Sequence, residues 1–168
     1  MDNTYKDCLI YDIECATKYK KADSNTDILK IFGAYSFKTD KYYYLTKPEK
    51  IKELINNHRY LIGFNNYKYD NHVLYNNGFD KADGDFKGMY KSKMGEYNFI
   101  DKINIDLRSV FKKRAGSMKI NKGMLGDLLM EFSLDYISKT IGIVNENEEK
   151  IKNFDYSLFN KDKWSIEE

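Results

Sequence analysis

Asp12 and Glu14 stand two residues apart inside an apolar run, Cys8-Leu9-Ile10-Tyr11-Asp12-Ile13-Glu14. Such a run reads as a strand, and in a strand residues i and i+2 point to the same face. Two carboxylates therefore project together. They repel each other, and burying them is costly unless something positive sits between them. A divalent metal ion is the simplest counter-charge. The alternative is a surface strand whose acids face water. Any fold open to this chain must place the strand so that both acids are either solvated or ligated.

The rest of the chain is long enough to build around it: 168 residues suffice for one domain with a core. Net charge is +2 at pH 7, so a nucleic-acid partner cannot be argued from the overall balance. The charge is uneven, however. Lys112, Lys113, Arg114, Lys119 and Lys122 form a basic run free of acids, which reads as a solvated loop or a phosphate-facing segment. The two cysteines, Cys8 and Cys15, have no partners at disulfide-framework or zinc spacing. No apolar stretch reaches the roughly 18 residues of a membrane span, and the polar N-terminus lacks a signal-peptide core. A reducing cytoplasm and no membrane partner are the expectations.

In chain order, Asp7 to Glu14 is the first strand. Ile28 to Phe37 is the second, with a possible bulge at Gly33, and Asp40-Lys41 turns the chain into a third at Tyr42 to Leu45. The Tyr42-Tyr43-Tyr44 run reads as strand surface and core rather than as a base-stacking platform. Thr46 and Glu49 have capping-box spacing, Pro48 suits a first turn, and Ile51, Leu54 and Ile55 recur at helical intervals. Tyr60 to Phe64 is a short strand, parallel to the first because a helix crosses between them. It runs into a helix from Tyr69 to Asn77, stopped by Gly78. Asp70 starts that helix, at a strand end, where α/β sheets build their sites, and so adds a third carboxylate. Residues 79–100 read as a mobile insertion or a hairpin, and Ile103 to Leu107 as another strand. Helices are expected at Met124 to Phe132 and, capped by Gly142, at Phe132 to Ile141. His58 and His72 read as surface helix residues, and Asp106 as a strand-end cap.

Three segments line up: Asp12-Ile13-Glu14, Asn66-Tyr67-Lys68-Tyr69-Asp70 and Ser133-Leu134-Asp135-Tyr136-Ile137. Together they resemble the DEDD superfamily of 3′–5′ exonucleases, an RNase H-like fold, and specifically the proofreading domain of family B DNA polymerases. The first matches that family's D-x-E motif and the second its N-x-x-(F/Y)-D motif. The third matches the (S/T)-L-x-x-hydrophobic motif of its protein-primed members. The resemblance implies a mixed α/β sheet, with an antiparallel three-stranded meander, then helix-strand crossovers, and helices flanking the sheet. It implies one domain over residues 1–168. Asp12, Glu14 and Asp70 would be the catalytic, metal-binding carboxylates, holding two Mg²⁺ or Mn²⁺ ions. Asn66, Tyr69, Ser133 and Leu134 would touch a frayed 3′ end, and Phe64 or Tyr69 could stack its last base. The implied activity is phosphodiester hydrolysis at the 3′ end of single-stranded or primer-template DNA. A polymerase domain would follow, in a phage-like or bacterial setting.

Two departures accompany the likeness. Position 15 is Cys where many relatives carry Thr or Ser. The family's Y-x-x-x-D motif is missing: Trp164-Ser165-Ile166-Glu167-Glu168 resembles the lead-in to the helix that bears it, and Asp155 and Asp162 have no Tyr four residues earlier. The expectation is a domain lacking its C-terminal helix, incomplete as an enzyme. The competing expectation is a catalytically inactive RNase H-like domain that binds nucleic acid or protein.

Overall fold

The structure is a computed structural model that describes residues 4–17 and 21–111. The expected helices at 124–132 and 132–141, the basic run at 112–123, Ser133, Leu134, Asp155, Asp162 and the Trp164 segment lie outside the described residues.

Three antiparallel strands come first: β1 (Cys8–Ala16), β2 (Ile28–Ser36) and β3 (Lys41–Leu45). Helix α1 (Pro48–Asn56) then crosses to β4 (Tyr60–Gly63), which pairs with β1 in parallel. Helix α2 (Asp70–Leu74) follows, then a small hairpin of β5 (Met89–Lys91) and β6 (Tyr97–Phe99), and finally β7 (Ile103–Asp106), parallel to β4. The five-stranded mixed sheet has the order β3-β2-β1-β4-β7. This is the mixed sheet that the sequence implied, with the acid-bearing strand at its centre.

Alternation along β1 puts Leu9, Tyr11 and Ile13 on one face and Ile10, Asp12 and Glu14 on the other. The first face is the core. Phe32, Ala34 and Leu61 join it from the sheet, and Ile51, Leu54, Ile55, Val73 and Leu74 close over it from the helices. The stripe read from α1 is the buried one. Segment 79–100 is packed into this core through Phe79, Phe86, Met89, Tyr97 and Phe99. Tyr11 stacks on Phe32 at 5.3 Å between ring centroids, beneath the strand that carries the acids.

Local details differ from the sequence expectations, each for a tertiary reason. Thr46 is no cap: α1 starts behind Lys47, whose carbonyl accepts the Lys50 and Ile51 N–H groups. The sheet irregularity is not at Gly33, which pairs regularly with Asp12; Lys30 is the extra residue, between the pairs Glu14–Ile31 and Cys15–Leu29. A bulge there sharpens the twist of the strand end beside Glu14. His58 is not a surface residue. It is 2% exposed, hydrogen-bonded through Nε2 to the Ser36 hydroxyl at 2.7 Å and through Nδ1 to the Leu54 carbonyl. His72 is half-buried, stacked on Tyr97 at 4.1 Å. Helix α2 is α-helical only to Leu74, then widens through Tyr75–Phe79, and Gly78 ends it at φ +92°.

Candidate active site

The site is built where two parallel strands end at different heights. Pairing of β1 with β4 runs from Cys8–Tyr60 to Ile10–Ile62. Past that point β1 continues to Ala16, whereas β4 stops at Gly63, so Asp12 and Glu14 overhang the end of β4. The chain leaving β4 turns through a loop over residues 64–69, and Asp70 is the first residue after it in α2.

That loop is held by several constraints. Asn65 takes φ +62°, a conformation that Asn tolerates. Its N–H donates to Asp106 Oδ1 at 2.8 Å, and its side-chain oxygen accepts from the Arg108 guanidinium at 2.8 Å. Asp106 is 3% exposed and also accepts from the N–H groups of Arg108 and Ser109, at the start of the helical residues 107–111. It caps that helix and ties it to the loop, which is the capping role read from the sequence. Asn66 is fully buried, and its Nδ2 donates to the Tyr11 hydroxyl at 2.8 Å. Tyr11 in turn donates to Asn71 Oδ1, and Asn71 Nδ2 donates to the Tyr97 carbonyl. One hydroxyl thus joins β1, the loop, α2 and the hairpin. Gly63 makes room for this arrangement, because a Cβ there would sit 2.8 Å from the Asn66 Cβ and Nδ2. Gly63→Ala is expected to displace Asn66 and cost about 1–3 kcal/mol, read as a lower denaturation midpoint at unchanged m-value.

The three predicted carboxylates interact electrostatically. Asp70 is 5% exposed and its Oδ2 has no hydrogen-bond partner. Burial, then the charges of Asp12, Asp106 and Glu14, push its pKa up from 3.8 to about 8. Glu14 is raised by burial and by Asp12. Asp12 is raised by the surrounding protein, although its side chain opens to solvent and the Ile13 N–H partly offsets the shift. A hard divalent cation suits this all-oxygen donor set and would satisfy the orphaned Asp70 oxygen. Among the described residues, no group of three His, Cys, Asp or Glu side chains could hold a metal ion as placed.

The raised Asp70 pKa has a thermodynamic consequence. Between pH 3.8 and about 8 the folded chain holds a proton that the unfolded chain has released. Metal-free stability must therefore fall as pH rises through that window. Asp70→Asn should flatten the slope, checked by chemical denaturation in chelator at several pH values. Wild-type and variant midpoints that keep the same separation across the window would refute it.

The other predicted substrate contacts are placed less openly. Asn66 lies in the interior and Phe64 is half-buried at the end of β4. Tyr69 is half-buried, and its hydroxyl donates to Asp27 Oδ2 at 2.6 Å. Asp27 is 3% exposed, holds Tyr69 and the Asp23 N–H, and leaves Oδ1 without a partner. Cys15 packs against the core, and burial with the charges of Asp27, Asp70 and Glu14 pushes its thiol up to about 12. Sequence reasoning missed Asp27 and the hub role of Tyr11. The first precedes a strand with no motif around it. The second carried one signal, a hydroxyl on the apolar face of a strand.

No family model and no curated protein matches this chain. Solved structures do. The family B DNA polymerase of the hyperthermophilic archaeon Pyrobaculum calidifontis superposes with TM-score 0.65 at 12% identity, over 92% of this chain and 21% of the polymerase. An apo exonuclease I superposes with TM-score 0.47 at 18% identity, over 79% of this chain and 36% of the other. An ExoI/SSB-Ct complex superposes with TM-score 0.48 at 18% identity, over 84% and 37%. The chain spans about a fifth of the length of the polymerase that it matches. At these identities the likeness is one of fold, and the fold it shares is found in part of a family B DNA polymerase.

Proposed function

We propose that this chain is a metal-dependent 3′–5′ exonuclease domain of the proofreading kind, acting on the 3′ end of single-stranded or frayed DNA. The observation that carries the reading is the buried, partnerless oxygen of Asp70, on a carboxyl that feels the charges of Asp12 and Glu14 where they overhang β4. Asp12, Glu14 and Asp70 would hold the divalent ions, Mg²⁺ or Mn²⁺. Bound there, such ions stabilise charge on the attacking and leaving oxygens of a phosphodiester. The protein's own part is to fix the three carboxylates. Tyr11, Asn66 and Asn71 hold the β4–α2 loop against β1, and Asp106 with Arg108 holds it from the other side. Metal binding would draw a proton from Asp70, so affinity should rise with pH. A polymerase segment elsewhere in the protein and a bacterial or phage-infected cytoplasm belong to the same reading.

A second reading is favoured by the lack of a closed three-ligand group among the described residues: a catalytically inactive domain of this fold that binds nucleic acid or protein. A 5′-labelled oligonucleotide separates the two. The exonuclease shortens it stepwise from the 3′ end when Mn²⁺ or Mg²⁺ is added, and leaves a circular single strand intact. Binding without metal-dependent shortening supports the second reading, and cleavage of the circle overturns the first.

A further inference from the structure

Gly33 leaves an opening in the acid-bearing face of the sheet. Along one row of that face the register runs Asp12, Gly33, Tyr44, one residue from each of β1, β2 and β3. Strands are about 4.8 Å apart, so Tyr44 stands about 10 Å from Asp12 along the row. Nothing in the backbone calls for glycine at position 33. Its φ is not in the left-handed region, and an added Cβ would meet only the Asp12 carbonyl at 3.8 Å and Tyr44 Cδ1 at 4.0 Å. The missing side chain instead leaves a shallow gap between the Asp12 backbone carbonyl and the Tyr44 ring, on the row that carries Asp12.

Among the described residues the ring is uncovered. Tyr44 is 76% exposed and stacks on no other ring among the described residues. Its neighbours in the tyrosine run are engaged. Tyr43 packs against the core, and Tyr42 lies on Tyr35 at 4.8 Å between centroids. The run that reads as plain strand surface and core is therefore divided by the pleat, with only Tyr44 both unengaged and in line with Asp12.

We propose that Tyr44 and the gap at Gly33 form a subsite for a nucleotide base of a single-stranded substrate whose phosphate lies at Asp12 and Glu14. This rests on the exonuclease reading and adds to it where the strand runs: across β2 towards the edge strand β3. Stacking on a phenol ring accepts any base, because every base has a π-face, so the subsite holds the strand without selecting sequence.

The probe is a short oligothymidylate carrying 2-aminopurine at its 3′ end, with the full chain in Ca²⁺ or Mn²⁺. The wild-type chain should quench the fluorophore on binding. Tyr44→Ala should weaken binding about tenfold and relieve the quenching, and Tyr44→Phe should keep both. Gly33→Val fills the gap with a residue that strands favour, and should weaken binding like Tyr44→Ala while thermal unfolding stays at the wild-type midpoint. If Tyr44→Ala and Gly33→Val bind and quench like wild type, the subsite is wrong while the exonuclease reading stands, provided that Asp12→Ala still blocks cleavage. A wild-type chain that neither binds nor shortens the probe overturns both.

Discussion

Asp12→Ala is expected to lower metal-dependent cleavage by roughly a thousandfold or more, with the fold intact. The size follows from the chemistry. Removing one group that stabilises transition-state charge in a preorganised site costs about 10²–10³ in rate, and a carboxylate that helps to hold an ion supplies at least as much. The fold should survive because Asp12 is exposed to solvent and its carboxylate is held, among the described residues, only by the adjacent Ile13 N–H. Its removal also relieves repulsion, since its charge helps to raise both Glu14 and Asp70. The Asp70 pKa should therefore fall in the variant, and its metal-free stability should depend less steeply on pH. Single-turnover cleavage in Mn²⁺ and an apo denaturation series measure the two effects. Wild-type cleavage by Asp12→Ala would remove this strand from the mechanism.

Tyr11→Phe carries the largest expected effect on stability. Deleting the hydroxyl leaves Asn66 Nδ2 without its acceptor and Asn71 Oδ1 without its donor, both fully buried. Each orphaned polar group costs about 1–3 kcal/mol, so the loss should be about 2–6 kcal/mol. Activity should fall as well, because the same hydroxyl holds the loop that delivers Asp70. A change below about 0.5 kcal/mol, by urea denaturation, would show that water takes the place of the hydroxyl and that the hub is dispensable.

Much of this architecture was legible from periodicity. A strand with acids on alternate positions, an α1 stripe of Ile51, Leu54 and Ile55, and a helix opening on Asp70 are all patterns of 2.0 or 3.6 residues, set by local geometry. What escaped the sequence was decided at a distance. His58 looks like an ordinary polar residue after a helix, yet it is buried because Ser36, on another element, offers its hydroxyl. Asp27 has no motif, yet it anchors the ring next to Asp70. The bulge falls at Lys30 rather than at the glycine, because strand register is a property of the pair.

The sequence by itself determined that two carboxylates share a strand face, because side-chain alternation needs no partner. Only the tertiary structure decided that Asp70 is buried within reach of their charges. That required β4 to stop short of β1, Gly63 to admit Asn66, and Asp106 to hold Asn65 in a left-handed turn. The β1–β4 pairing and the Asn65–Asp106 hydrogen bond join residues far apart in the chain. No local pattern encodes how far Asp12 and Glu14 overhang the neighbouring strand, and it is that overhang which turns two acids on a strand into a candidate site.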